Sequence, residues 1–354
     1  MTEYRLISSS GVAAQRGVVL LSVLLILALL SALIYQLVGQ HALVIAQARQ
    51  TFAGDQALNY ALGGEAFARQ VLFEDWSETG QGIDTLQESW AQPMAPFDVD
   101  NGFLEVQIRD LNGCFNLNSL LDTPGSSGAN QDGPDISAEQ ANPNSPAGQN
   151  QTNLARLKTL LRNQGIPDSL ADTWHDWIDP DEQITGFGAE DGEYLLNSQP
   201  YRTANRAAGS ISELALLKDI EPEYVQTLSE LTCLLPSTDL KLNINTAGAA
   251  TLAALSPSLS EVQMLALTES VREYDSVAAV TAEYPDLIPA TPVLSVTSEY
   301  FEIRVRAQVD DSLVELASVL HRDAENGNIR LIMRDFGKTF RSLFADEREQ
   351  DTAT

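Results

Sequence analysis

Acidic side chains crowd one short stretch of this sequence. Asp176–Tyr194 reads DWIDPDEQITGFGAEDGEY, and Asp179, Asp181, Glu190 and Asp191 fall within it. Asp179, Asp181 and Glu190 occupy positions 1, 3 and 12 of a twelve-residue window, the spacing with which EF-hand loops wrap a calcium ion in oxygens. The match is partial. Position six, where the turn needs glycine, is Ile184, and the glycines come later, at Gly186 and Gly188. Four carboxylates so close repel one another unless a cation or water intervenes, so the stretch reads either as a cation-binding loop or as a solvated acidic one. Asn205, at the end of PYRTAN, could add an amide oxygen. For catalysis the chain offers nothing comparable. His41, His175 and His321 lie far apart without the H-E-x-x-H spacing, and no G-x-S-x-G or phosphate-cradling glycine loop occurs. His175, beside Trp174, reads as a packing residue. The chain does not read as an enzyme.

The composition narrows the partners. In 354 residues there are 49 acidic against 21 basic side chains, a formal net charge of −28. Nucleic-acid binding needs a basic stripe that releases phosphate counterions, so nucleic acid is excluded as the partner. Asn243–Ala247 (NINTA), opening a helix pair, also occurs in helix-hairpin-helix DNA-binding modules. Here Ser256-Pro257-Ser258 stands where their glycine hairpin would be and hardly any basic residue flanks it, so it reads as helical packing.

The elements that position these residues begin with an anchor. Residues 1–17 are polar, with Arg5 and Arg16, whereas Val18–Val38 carry no charge, proline or glycine. At about 1.5 Å per residue that run spans about 30 Å, the depth of a hydrocarbon core. It is longer than the core of a cleavable signal peptide, and Gln40-His41 follow where a small-residue cleavage site would be expected. The basic flank precedes it and the acidic body follows, which predicts a cytoplasmic N-terminus and a body across the membrane. The helical pattern continues past the lipid to about Trp76 with many alanines, so its second half is expected to pack on a domain. In an exported body, the even pair Cys114 and Cys233 is expected to form a disulfide.

Further along, Gly102–Ile108 alternates as a half-buried strand, and Glu299–Val309 and Ser312–Leu320 read as a hairpin turning at Asp310-Asp311. Residues 122–152, rich in Gly, Pro, Ser and Asn, read as a flexible loop. Helical patterns occupy Leu154–Gln164, Asp168–Ile178, Ser210–Lys218 (with a Ser210/Glu213 capping box), Asn245–Leu255 and Ser260–Tyr274. The expected fold is α+β. A pilin-like N-terminal transmembrane helix (18–38, continuing over 39–76) packs on a small antiparallel sheet (77–121 and 293–325). A large, mostly helical insertion (153–292), SAM-like or helix-hairpin-helix-like, interrupts the sheet, and 326–354 is a tail.

Gln15-Arg16-Gly17 before Val18-Val19-Leu20-Leu21 resembles the cleavage site of prepilin-like proteins. Counted from Val18 the fifth residue is Ser22, where most pilins and pseudopilins carry glutamate. With that serine, QRGVVLLSVLLILALL and ALNYALGGEAFARQVL (Ala57–Leu72) resemble the K-type minor pseudopilins of type II secretion (general secretion pathway protein K). The resemblance implies cleavage between Gly17 and Val18 by a prepilin peptidase, with methylation of the new N-terminus. It implies a single-pass inner-membrane protein with a periplasmic body, at the tip of a pseudopilus. Its partners would be the I- and J-type minor pseudopilins and the inner-membrane secretion platform. It also favours calcium at Asp179, Asp181, Glu190 and Asp191. The alternatives are a signal-anchored periplasmic binding protein, which would keep residues 1–17, and a minor pilin of a type IV pilus, whose common form has glutamate at Ser22.

Overall fold

A computed structural model describes residues 13–79, 82–121, 146–256, 258–338 and 340. Residues 1–12 of the expected leader, 122–145 of the expected 122–152 loop and the tail beyond Phe340 lie outside the described residues.

Helix α1 (Ala13–Thr79) runs unbroken for 67 residues. From Val18 to Phe52 every residue is exposed, and this is the one helix among the described residues long and apolar enough to cross a membrane. From Ala53 on, the helix buries a narrow stripe of Ala53, Ala57, Ala61, Ala68 and Leu72. Small residues at helical spacing let the backbone come close to its neighbour. At Gly64 the approach is closest, since a Cβ there would lie 2.9 Å from Val305 Cγ1.

That neighbour is a five-stranded antiparallel sheet of order β1-β2-β7-β8-β9. Strands β1 (Phe97–Val99) and β2 (Gly102–Asp110) precede the insertion. Alternation places Val106 and Ile108 of β2, with Phe301, Ile303 and Val305 of the later strands, on α1, and Trp90 closes this core.

Between β2 and β7 the chain leaves the sheet. It forms β3 (Phe115–Asn116), α2 (Pro146–Asn163), α3 (Ser169–Ile178), the short α4 (Asp191–Tyr194), α5 (Pro222–Leu231), β4 (Thr232–Cys233), β5 (Leu242–Asn243), α6 (Ala249–Leu255), α7 (Glu261–Glu269), α8 (Val277–Glu283) and β6 (Leu294–Ser295). These elements share a second core around Trp174, Trp177, Leu157, Leu160 and Tyr194. The chain then returns as β7 (Tyr300–Val309), β8 (Ser312–Arg322) and β9 (Ile329–Asp335), with β7 and β8 turning through Asp310 at φ 48°.

Three boundaries differ from expectation. Residues Phe115–Leu121 belong with the insertion, because Phe115, Leu117 and Leu120 pack in its core and β3 pairs with β4. Helix α2 starts at Pro146, inside the expected flexible loop; proline suits the first helical turn because its missing N–H would have no helical partner. Part of the expected tail is β9, an edge strand paired with β8. The hairpin before β9 seats Gly327 (φ +68°) on the Trp76 ring, where a Cβ would collide with the indole.

A buried polar junction joins the two units. Asp110, at the end of β2, accepts hydrogen bonds from Ser298 Oγ (2.6 Å), from the Asn112 N–H (2.7 Å) and from Thr246 Oγ1. Asn243 donates to the Asp84 carbonyl (2.9 Å) and to Ser298 Oγ (2.8 Å). Arg322 reaches Asp84 and Asp75 while lying over the Phe301 ring. The NINTA segment is thus a lock between units. Burial lifts Asp110 to about 6, against its hydrogen bonds from Ser298 and Thr246. A carboxyl raised this way contributes stability that is fully present below the ordinary carboxylate range and lost as pH rises through 6. Unfolding free energy in EDTA is therefore expected to fall between pH 4.5 and 7.5. In Asp110→Asn the fall should be smaller by about 2 kcal/mol, since a tenfold change in a group's acidity on folding is worth about 1.4 kcal/mol. Parallel urea titrations of the two proteins at each pH measure it, and identical slopes would contradict the assignment.

Candidate metal centre in the inserted unit

Helix α3 supplies the floor of the acidic site. Asp172 and Asp176 are four residues apart, on one helix face. Asp172 Oδ2 accepts the Phe187 N–H (3.3 Å) and Asp176 Oδ1 the Thr185 N–H (3.0 Å), so the loop after α3 is pinned across them. Lys158 of α2 balances Asp172 at 2.6 Å. The glycines are required by this approach. Gly186 has φ +55°, and a Cβ at Gly188 would collide with Asp176 Oδ2. The sequence carried a signal for this pair, two aspartates at i, i+4 on an expected helix facing a glycine-bearing loop, which spacing within the loop alone does not show.

The loop brings together three of the four expected ligands. One carboxylate oxygen each from Asp179, Asp181 and Glu190 lies within 4.8 Å of the others. Asp191 is not with them. Its carboxylate takes Arg202 Nη1 (2.8 Å) and the Thr203 N–H and Oγ1 (both 2.9 Å), and although burial would raise its pKa, Thr203 and Arg202 together hold it below the usual range. It latches the end of the loop.

Asp179 Oδ1, both Glu190 oxygens and Asn205 Oδ1 are buried without a hydrogen-bond partner among the described residues. Buried oxygens normally have one. Asn205 sits in the left-handed region (φ 47°), its N–H bonded to the Trp177 carbonyl at 3.0 Å, two residues before Asp179. Burial first, then the charges of Asp179, Asp176 and Asp181, lift Glu190 to about 7. Asp179 is raised by burial, with His175 opposing.

His175 also differs from expectation. Its Nδ1 lies 3.1 Å from Asp179 Oδ2 and 3.8 Å from Asp176 Oδ1. Burial would lower its pKa, but the two carboxylates overcome this and raise it to about 9. It is a charge partner of the cluster. Carboxylate and amide oxygens lacking partners are the hard donors that calcium takes, six to eight at about 2.3–2.6 Å. The donor set fits such an ion, with Asp179, Asp181, Glu190 and Asn205 as the side chains that would hold it.

The remaining expected positions lie elsewhere. Cys114 and Cys233 form a disulfide with their Cα atoms 5.8 Å apart. Gly17 falls within α1, and Val18 is exposed at the start of its apolar half.

An apolar helix whose second half packs on a small antiparallel sheet defines a pilin-like subunit, here with a helical unit spliced between two neighbouring strands. A model of the family described as type II secretion system protein K matches residues 113–237. The chain is 33% identical over 92% of its length to the type II secretion system protein K of Pseudomonas aeruginosa, covering 93% of that protein, and 32% identical over 90% to that of Aeromonas hydrophila, covering 96%. A chain of the crystal structure of the GspK-GspI-GspJ complex from enterotoxigenic Escherichia coli superposes with a TM-score of 0.61 at 25% identity, over 83% of this chain and 99% of that one. The protein belongs to the type II secretion system protein K family and is a minor pseudopilin of type II secretion.

Proposed function

We propose that this minor pseudopilin occupies the tip of the pseudopilus, bound to I- and J-type minor pseudopilins, with its N-terminus cytoplasmic and its body periplasmic. The observation that carries the tip position is the inserted helical unit, whose bulk would be hard to fit inside a helical shaft. Ser22 agrees with it, since its hydroxyl donates to the Val19 carbonyl (2.9 Å) and offers no charge to a neighbour's N-terminal amine. The I- and J-type partners follow from the complex in which the similar chain was crystallised. Prepilin peptidase would cut after Gly17, the new terminus at Val18 would be methylated, and the membrane helix would engage the inner-membrane platform. The loop at Asp179–Glu190 would hold calcium that fastens the insertion.

Processing and position are testable together. The wild-type protein on the fibre should begin at Val18 and cross-link to I- and J-type subunits at one end only. Gly17→Leu should remain uncut, lowering the fibre-associated amount at least tenfold, because a leucine side chain blocks the close backbone approach that glycine allows. N-terminal sequencing of fibre-bound protein reads the first point and immunogold labelling the second. Recovery of Met1 on the fibre, or label spread evenly along it, would sink the proposal.

A further inference from the structure

The acidic loop displays apolar side chains that metal binding does not use. Phe187 and Leu196 are each 84% exposed and Ile184 59%. This display does not come from slackness. The Phe187 N–H is fixed on Asp172, the Thr185 N–H on Asp176, and the intervening Gly186 is held at φ +55°. Beyond the loop, the Leu195 N–H closes on the Asp191 carbonyl at 2.9 Å. A large apolar side chain left in water forgoes about 1.5–3 kcal/mol of burial, and exposed apolar surface with a polar surround marks an interaction site.

Charge identifies the partner. From Asp179 to Tyr201 there are six carboxylates (Asp179, Asp181, Glu182, Glu190, Asp191 and Glu193) and no lysine or arginine. Arg202 pairs with Asp191 and Lys218 with Glu193, which leaves Asp181 and Glu182 exposed beside Ile184. A divalent cation on the cluster would still leave the segment net negative. An anionic lipid surface is repelled by this pattern, whereas an apolar groove with a basic rim complements both its features. We infer that Ile184–Leu196 is a docking surface for a partner protein that presents an apolar groove rimmed by lysine and arginine. This goes beyond the tip assignment and needs no metal.

The test places the photo-cross-linker benzoylphenylalanine at Phe187 or Leu196 in the full-length, membrane-borne protein. Leu313, 52% exposed on β8, is the control position. Adducts at 187 and 196 are expected at ten times the control yield or more. Their peptides, identified by mass spectrometry, should be apolar and flanked by lysine or arginine, and 0.5 M salt should reduce the yield several-fold. Phe187→Ser with Leu196→Ser, both at exposed positions, should lower secretion at least tenfold while processing and co-purification with the I- and J-type subunits stay normal. Adducts confined to lipid or to acidic peptides, adducts no more frequent than at 313, or normal secretion by the double variant would each overturn the inference.

Discussion

Cys114→Ser combined with Cys233→Ser is expected to remove about 4–5 kcal/mol of unfolding free energy. The bond spans a sequence separation of 119, and in the chain-entropy model a loop of about that length restricts the unfolded chain by about 5 kcal/mol. The bridge reinforces a corner where β3 and β4 pair over two residues, Phe115 with Thr232 and Asn116 with Cys233, and where the amides of Asn116 and Asn118 donate to the Ser237 and Leu235 carbonyls. The bridge joins the entry of the inserted unit to the strand after α5, so its loss should free that unit before the sheet. Urea titration of the variant against the oxidised wild type measures the loss. A difference below about 1 kcal/mol would mean that the unfolded chain is constrained by other means.

Calcium is expected to raise the melting temperature of metal-stripped protein by several degrees over its value in EDTA. A ligand at a hundredfold excess over its Kd, bound only to the folded state, adds about 2.7 kcal/mol. Glu190 and His175 set the pH dependence in the same direction, His175 losing its contribution as pH rises from its ordinary range through about 9. With the Glu190 pKa raised to about 7, its contribution in EDTA is present below the ordinary glutamate range and lost as pH rises through 7. The apo protein should therefore melt lower at pH 8 than at pH 6, and the gain from calcium should be larger at pH 8. Asp179→Ala with Asp181→Ala should erase that gain. Asp191→Asn should leave most of it, because Asp191 is committed to Arg202 and Thr203, and Asp310→Asn with Asp311→Asn should leave all of it. Melting temperatures that do not respond to calcium would leave the loop as a solvated acidic turn.

What the sequence made legible was local. The long apolar helix, the strand at 102–108 and the 299–320 hairpin followed from periodicity, and the cysteine pair from the expected compartment and parity. The clustering of Asp179, Asp181 and Glu190 followed from spacing, because a short loop keeps its side chains close. Asp191 did not, since its choice of Arg202 and Thr203 depends on how the chain returns after α4, which spacing does not encode. The edge strand β9 was hidden for a related reason. In Ile329–Asp335 (IRLIMRD) three apolar residues run together, and the irregularity in β8 at Val319/Leu320 shifts the pairing, so no clean alternation survives. Asn243, Asp110 and Ser298 are each ordinary polar residues in the sequence and meet only in the folded chain.

The insertion leaves and re-enters the sheet at neighbouring strands, with Asp110 opposite Phe301 in the register. This has a kinetic consequence. Strand β2 cannot pair with β7 until the whole helical unit has been made, and closing so long a connection as a random coil would cost about 4–5 kcal/mol of entropy. The pairing becomes inexpensive once the helices have condensed on Trp174 and Trp177 and brought the two ends together. Order of assembly is thereby written into the topology. The helical unit acts as the clasp that lets the sheet close, and until it has folded β2 waits with an open edge, the state in which strands of different molecules are most prone to join.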